Sequence, residues 1–293
     1  AMPFGDLTRI NSDSQSLGAL NSLFRINREL GIRQNRLSTG YRINSAEDDS
    51  AGYALGKKLE SRIRGLSAAL DNIGDAKNML SVAEGGLQSI MDILQTIKEK
   101  VTRGANDTMG SEERAALVAD IRALGREIDQ IVAQTKYNNR VLLRDFNTSA
   151  SALQFHVGPD NSDTITFSLA SGGSTTTFQS SGLLGGVVTG SGALSSTASA
   201  ASFAAALASI DSAITTVSSA IRDLGAFQRR LTVKEDMLSA QITNTEGARS
   251  RVFDADFARE QLRVAKLQIL QQTATVALAQ ANANPQAVLS LFR

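Results

Sequence analysis

An alternating step of four and three residues runs through Leu59, Ile63, Leu66, Leu70, Ile73, Lys77, Leu80, Glu84, Leu87, Met91 and Leu94. It constrains the fold more than any other feature of the chain. Only Lys77 and Glu84 interrupt it with charge. A period of about 3.5 residues held this long is the seam of a coiled coil, because one face of a short globular helix has no need of it. The alternation returns at Leu117, Ile121, Leu124, Ile128 and Ile131. It appears again from Ile210 through Ile214, Val217, Ile221, Leu224, Gln228, Leu231, Glu235 and Leu238 to Ile242. Seams far apart in sequence can cover each other if the chain folds back on itself. The expected class is therefore mainly α: an elongated antiparallel coiled-coil bundle, with the N- and C-terminal helices paired and a small β-hairpin region.

The hairpin comes from a change of period. Leu153, Phe155 and Val157 alternate with polar residues, Gly158-Pro159-Asp160-Asn161 makes a turn, and Ile165, Phe167 and Leu169 alternate again. Residues 171–202 follow, rich in Gly, Ser and Thr and without charge, which suggests a loop region or short exposed elements. Gly40 and the stretch 41–44 break the first helical text, and Ser45 is the expected start of the next helix. Glu47, Asp48 and Asp49 then fall in its first turn, where acids oppose the positive end of the helix dipole, so the Asp48-Asp49 pair is structural. Ser111 with Glu112 and Glu113 behind it carries the same signal.

Several chemistries are set aside on composition. Lys and Arg number 30 against 29 Asp and Glu, too even a balance to recruit nucleic acid by bulk charge. There is no cysteine, so disulfides and thiol chemistry are out. The single histidine, His156, sits out of phase with Phe155 and Val157 and faces outward; it has no second imidazole to complete a metal site. No glycine-rich phosphate loop follows a predicted strand, and Arg229-Arg230 reads as a solvated face. No catalytic residue, metal or cofactor is expected. No basic stretch leads into an apolar one at the start, so a cleaved secretory signal is not expected either.

The chain ends carry the functional information. From Leu267 to Phe292 there is no charged residue over 26 positions. Length alone would suit a membrane span. Gln268, Gln271, Gln272, Gln280, Asn282, Asn284 and Gln286 argue against one, because amides in lipid need partners, and Pro285 is expected to end the helix. Leu267, Leu270, Ala274, Ala277 and Ala281 form one apolar stripe; Leu262, Ile269 and Val276 form another. The N-terminal text from Ile10 to Phe24, with Leu17, Leu20 and Leu23, carries only Asp13, and Ile26 continues it. Helices that are uncharged all round must be covered all round, and two such helices cannot fully cover each other. Further copies of the chain are the expected cover.

The stretch Leu37-Ser-Thr-Gly-Tyr-Arg-Ile-Asn-Ser-Ala-Glu-Asp-Asp-Ser-Ala-Gly52 resembles the signature of bacterial flagellins. So do Ala248-Arg-Ser-Arg-Val-Phe-Asp-Ala-Asp-Phe257, Gln268-Ile-Leu-Gln-Gln272, Leu278-Ala-Gln-Ala-Asn282 and Val288-Leu-Ser-Leu-Phe-Arg293. The resemblance implies a structural subunit that polymerises into the flagellar filament and is secreted to the cell exterior. Residues 1–44 and 251–293 would form an inner filament-core domain. Residues 45–202, with the hairpin (about 153–169) and an outer loop at 171–202, and residues 203–250 would form a helical outer domain. Ser and Thr in that loop become candidates for O-linked sugars. Inter-subunit contacts would fall on Leu17, Leu20, Leu23, Ile26, Leu262, Leu267, Ile269, Leu270, Val276, Leu278, Val288, Leu289 and Leu291.

Implied partners are further copies of the chain, hook-associated and cap proteins, an export chaperone with the type III export apparatus, and a Toll-like innate immune receptor, but no nucleic acid and no membrane. The receptor surface would include Gln95, Thr96, Glu99 and Lys100; strongly recognised flagellins carry arginine where Thr96 stands and leucine where Lys100 stands. A hook–filament junction protein shares the terminal helices, although the match at residues 278–293 favours a flagellin. A coiled-coil signalling receptor would need the membrane span that the amides argue against.

Overall fold

The computed structural model describes residues 14–145, 153–167, 178–185, 187–188, 194–195 and 198–290. Its helices are α1 (Ser14–Thr39), α2 (Ser50–Gly104), α3 (Ser111–Gln134), α4 (Leu142–Asp145), α5 (Ser180–Leu183), α6 (Ala200–Phe253) and α7 (Phe257–Ser290). Two antiparallel hairpins, β1 (Lys136–Tyr137) with β2 (Arg140–Val141) and β3 (Leu153–His156) with β4 (Thr164–Phe167), complete the order. Two compact units result: Ala1–Ile63 with Asn244–Arg293, and Arg64–Thr243.

In the larger unit every second expected seam position is buried as expected, and the alternate ones are displaced by one residue. Leu66, Ile73, Leu80, Leu87, Leu94 and Val101 are fully buried (0%), and Ala69, Ala76, Ala83, Ile90 and Ile97 alternate with them, with Met79 buried beside Leu80. The expected seam positions Leu70, Lys77, Glu84 and Met91 lie one residue off and are half-buried, as are Leu59 and Ile63 in the other unit. In α6 the buried line is Phe203, Ala206, Ile210, Ala213, Val217, Ala220, Leu224, Phe227 and Leu231, with Ile214 and Ile221 flanking it. In α3 it is Val118, Ile121, Gly125, Ile128 and Val132, with Leu117 flanking.

The polar breaks explain themselves once α2 and α6 run antiparallel. Lys77 Nζ donates to Glu235 Oε2 at 2.7 Å, and Gln228 Nε2 donates to Glu84 Oε2 at 3.1 Å. All four residues that interrupt the two seams therefore meet their opposite numbers. Half-buried charges placed this way fix register at little cost in apolar contact.

The expected hairpin forms with Leu153 opposite Phe167 and Phe155 opposite Ile165. Phe155 and Phe167 stack on Phe227 of α6 at 5.9 and 4.6 Å between ring centroids, and Asn72 Nδ2 donates to the His156 carbonyl at 3.1 Å. His156 itself is exposed. The β1–β2 hairpin has no counterpart in the sequence reading. Asn138 (φ 47°) and Asn139 (φ 64°) form its two-residue turn, both left-handed, a backbone that asparagine tolerates better than most side chains.

The structure alters four other sequence expectations. α2 begins at Ser50 rather than Ser45, capped by Asp49, whose Oδ1 accepts from the Gly52 N–H at 2.9 Å. α3 is capped by Gly110, not Ser111, with Glu113 Oε2 accepting the Gly110 N–H at 2.9 Å. α7 runs past Pro285 to Ser290, because one missing donor does not stop a run rich in alanine. The stretch 171–202 is not uniformly exposed where it is described. Phe178, Leu183, Leu184, Val187 and Leu194 are buried, Ser180 donates its N–H and hydroxyl to Asp129 of α3 at 2.8 and 2.7 Å, and Arg122 donates to the Leu194 carbonyl at 2.9 Å. Leu169 and most of the Ser/Thr candidates for sugars, including Ser171 and residues 174–177, lie outside the described residues.

Candidate functional site

α1 and α7 pair antiparallel, and each meets the other through a seam of its own. On α1 the half-buried residues recur at Ala19, Leu23, Ile26, Leu30, Arg33 and Leu37. On α7 the covered residues recur at Glu260, Val264, Leu267, Gln271, Ala274, Leu278 and Ala281, a four-three alternation throughout. Leu270 and Ala277, expected in this stripe, lie off it and are exposed. Leu20 is half-buried beside the α1 seam.

A polar joint closes the base of the pair. Gly40 (φ 75°) ends α1 in the left-handed region that glycine accepts freely, and its carbonyl accepts the Ala255 N–H at 2.9 Å. Arg42 donates its N–H to the Phe253 carbonyl at 2.6 Å and its guanidinium to the Val252 carbonyl at 2.7 Å. Phe253 is held by Tyr41 and Tyr53 at 6.0 and 6.1 Å and lies over Gly56, where a Cβ would come within 1.6 Å of the ring. The stretch Leu37–Gly52 is therefore the turn that locks α1, α2 and the α6–α7 break together.

Asp48 is the electrostatic centre of that turn. Its carboxyl lies below the usual carboxylate range, chiefly because the Asn44 N–H donates to it at 3.0 Å. The Ser45 N–H and Arg36 help at 3.3 Å, against burial that pushes the other way. With the folded value depressed, this stabilisation is present above the unfolded carboxylate pKa and is lost as pH falls through the folded one.

Higher up, Arg33 donates to both oxygens of Glu260 at 3.1 and 3.2 Å, and Arg263 donates to Glu260 at 3.2 Å. Glu260 is only 5% exposed. Asn27 Oδ1 accepts from Gln271 at 2.7 Å further along. The sequence reading missed Glu260, although continuing the α7 alternation back from Leu267 through 264 reaches it.

The other face of α7 is uncovered. Leu262, Ile269 and Val276 are 72%, 65% and 69% exposed, and Leu270 is 40% exposed. Each of the first three stands two residues beyond a seam residue, about 200° round the helix, so they form a line opposite α1. On α1, Leu17 and Phe24 are 56% and 59% exposed. Of the expected inter-subunit residues, Leu23, Ile26, Leu267 and Leu278 thus serve the α1–α7 seam, whereas Leu17, Leu262, Ile269, Leu270 and Val276 face outward. Val288 and Leu289 continue α7, and Leu291 lies outside the described residues.

The receptor-type positions sit on α2. Gln95, Thr96 and Glu99 are exposed, Thr96 Oγ1 donates to the Asp92 carbonyl at 3.0 Å, and Lys100 pairs with Asp120 of α3 at 2.8 Å. Lys100 is therefore a tethered charge rather than a free one.

A family model described as the bacterial flagellin N-terminal helical region matches residues 10–148, and another, the bacterial flagellin C-terminal helical region, matches 207–292. Flagellin FlaB1 of Treponema pallidum (strain Nichols) is 31% identical over 97% of this chain and 99% of its own length. A flagellin of Bacillus subtilis (strain 168) is 34% identical over 97% and 100%. The structure of a putative flagellar hook-associated protein from Vibrio parahaemolyticus superposes with a TM-score of 0.55 at 17% identity, covering 71% of this chain and 100% of that one; this likeness concerns the fold alone.

Proposed function

Since the chain belongs to the bacterial flagellin family, we propose that it polymerises through the outward stripe of α7 and the exposed residues of α1. It is a structural subunit of the extracellular flagellar filament and assembles with copies of itself; flagellins are structural proteins rather than enzymes. The observation that supports the surface is the line Leu262–Ile269–Val276, more than half exposed at each position on a helix whose opposite face is already covered. Burying each such side chain stabilises a contact by roughly 1.5–3 kcal/mol, and contacts that do not close into a ring propagate as a filament.

Residues 1–44 and 251–293 are the inner domain in this reading, and 45–250 the outer one; the pairing of α1 with α7 supports the first. Secretion through a type III apparatus with an export chaperone, and contact with hook-associated and cap proteins, are part of the same proposal. Replacing Ile269 by Asp tests the surface. Elongation on preformed seeds should slow by at least about tenfold, because the carboxylate must be desolvated in the new contact, while helical melting stays at the parent value. Parent-rate elongation would remove Ile269 from the interface.

For the innate immune receptor, the proposal is weak engagement. Thr96 lacks the multidentate donor that an arginine supplies, and Lys100 is tied to Asp120. A dose–response in receptor-reporter cells should show lower potency than a strongly recognised flagellin; equal potency would show that these two positions do not control binding.

A further inference from the structure

We infer that the Arg33–Glu260–Arg263 clamp selects which face of α7 packs on α1, and so which face is left for assembly; this rests on the reading of the outward stripe as the assembly surface. The need for a selector follows from the composition of α7. Its covered seam offers Val264, Leu267, Ala274, Leu278 and Ala281, and its outward line offers Leu262, Ile269 and Val276. From Leu267 to Phe292 no charge marks one side as the wet one, and the single charge within the outward line, the exposed Lys266, can carry its ammonium to water along a flexible stem in either arrangement. By apolar content alone, α7 could roll about half a turn and bury Leu262, Ile269 and Val276 against α1 instead.

Glu260 breaks this near-symmetry. It is the one charged residue of the α7 seam, Arg33 is the one charged residue of the α1 seam, and the two meet with both carboxylate oxygens engaged. Arg263, one turn further along α7, closes on the same carboxylate. In the rolled arrangement Glu260 would turn away from Arg33, and Arg33 would face Leu262, an apolar side chain that accepts no hydrogen bond. A buried ion pair of this kind adds little net stability over an apolar contact, yet strongly disfavours arrangements that separate its members. It acts as a specificity device in the way a single polar residue fixes register in a coiled coil.

The chain has no native cysteine, so engineered pairs report orientation without background. Asn27→Cys with Gln271→Cys reports the observed face, since these two side chains are in contact at 2.7 Å. Asn27→Cys with Ile269→Cys reports the rolled one. Disulfide yield after mild oxidation is compared in the full-length soluble chain and in pelleted filaments, alongside elongation on seeds. In the parent background the 27/271 pair should exceed the 27/269 pair by about tenfold or more. Glu260→Leu, which keeps the seam apolar, should bring the two yields to near parity and slow elongation by about tenfold. Arg33→Glu with Glu260→Arg, combined with Arg263→Gln to remove the like charge one turn away, should restore both. An unchanged yield ratio in Glu260→Leu would overturn the inference. A collapsed ratio with parent-rate elongation would uphold the orientation role and count instead against the outward stripe as the assembly surface.

Discussion

A chain ending at Lys266 should remain soluble and helical but form no filaments under any polymerising condition. The truncation takes away Ile269 and Val276 of the outward stripe, together with Leu267, Gln271, Ala274, Leu278 and Ala281 of the seam that holds α7 on α1. It touches nothing in the unit Arg64–Thr243, where the seam residues of α2, α3 and α6 and the Phe155–Phe167–Phe227 cluster lie. Circular dichroism should therefore still show a cooperative helical melt, and sedimentation after seeding should leave all the protein in the supernatant. The expected effect is complete because each lost stripe residue removes roughly 1.5–3 kcal/mol from a contact repeated at every subunit. Filaments of normal width from the truncated chain would defeat the assignment of α7 to the filament interior.

The second large effect concerns the phase of the outer seam. Leu66→Asp and Leu224→Asp each bury an unpaired carboxylate at a fully covered position and should cost about 4 kcal/mol. Ile221→Asp, three residues before Leu224 but only half-buried, can turn its carboxylate to water and should cost about 1 kcal/mol. Thermal melts of the three variants decide the matter. Equal destabilisation by Ile221→Asp and Leu224→Asp would mean that the buried line has been placed on the wrong side of α6.

That one-residue phase shift shows what could be read from the sequence and what could not. The period was plain because the Leu and Ile repeat is long. Its phase is ambiguous because alanine fills several of the alternate seam positions of α2 and α6, at Ala69, Ala76, Ala83, Ala206, Ala213 and Ala220, and small side chains compete poorly with larger neighbours such as Leu70, Leu207, Ile214 and Ile221. Lys77, Glu84, Gln228 and Glu235 looked like defects for the same reason; they are flanking residues paired across the helices. The β1–β2 hairpin escaped because it is only two residues long on each side and its signal is a bare Asn-Asn. The segment after Ser171 was misjudged on bulk composition, since its few apolar residues, Phe178, Leu183, Leu184 and Val187, are what anchor it. At the joint, the serine before three acids suggested a cap at Ser45; the chain uses Asp48 to close the turn and Asp49 to cap α2. The outward faces of the terminal helices were foreseeable, because an uncharged helix of that length has nowhere in one chain to hide. Which residues faced the partner helix depended on Glu260, a residue that counts as polar in any periodicity reading.

Electron microscopy of the purified chain, seeded with short filament fragments, should show tubular filaments of uniform width that lengthen with added subunit, with α1 and α7 lining the inside of the tube. Protein that stays monomeric, or that forms only short caps on the seeds, would contradict the assignment of the chain as a filament subunit.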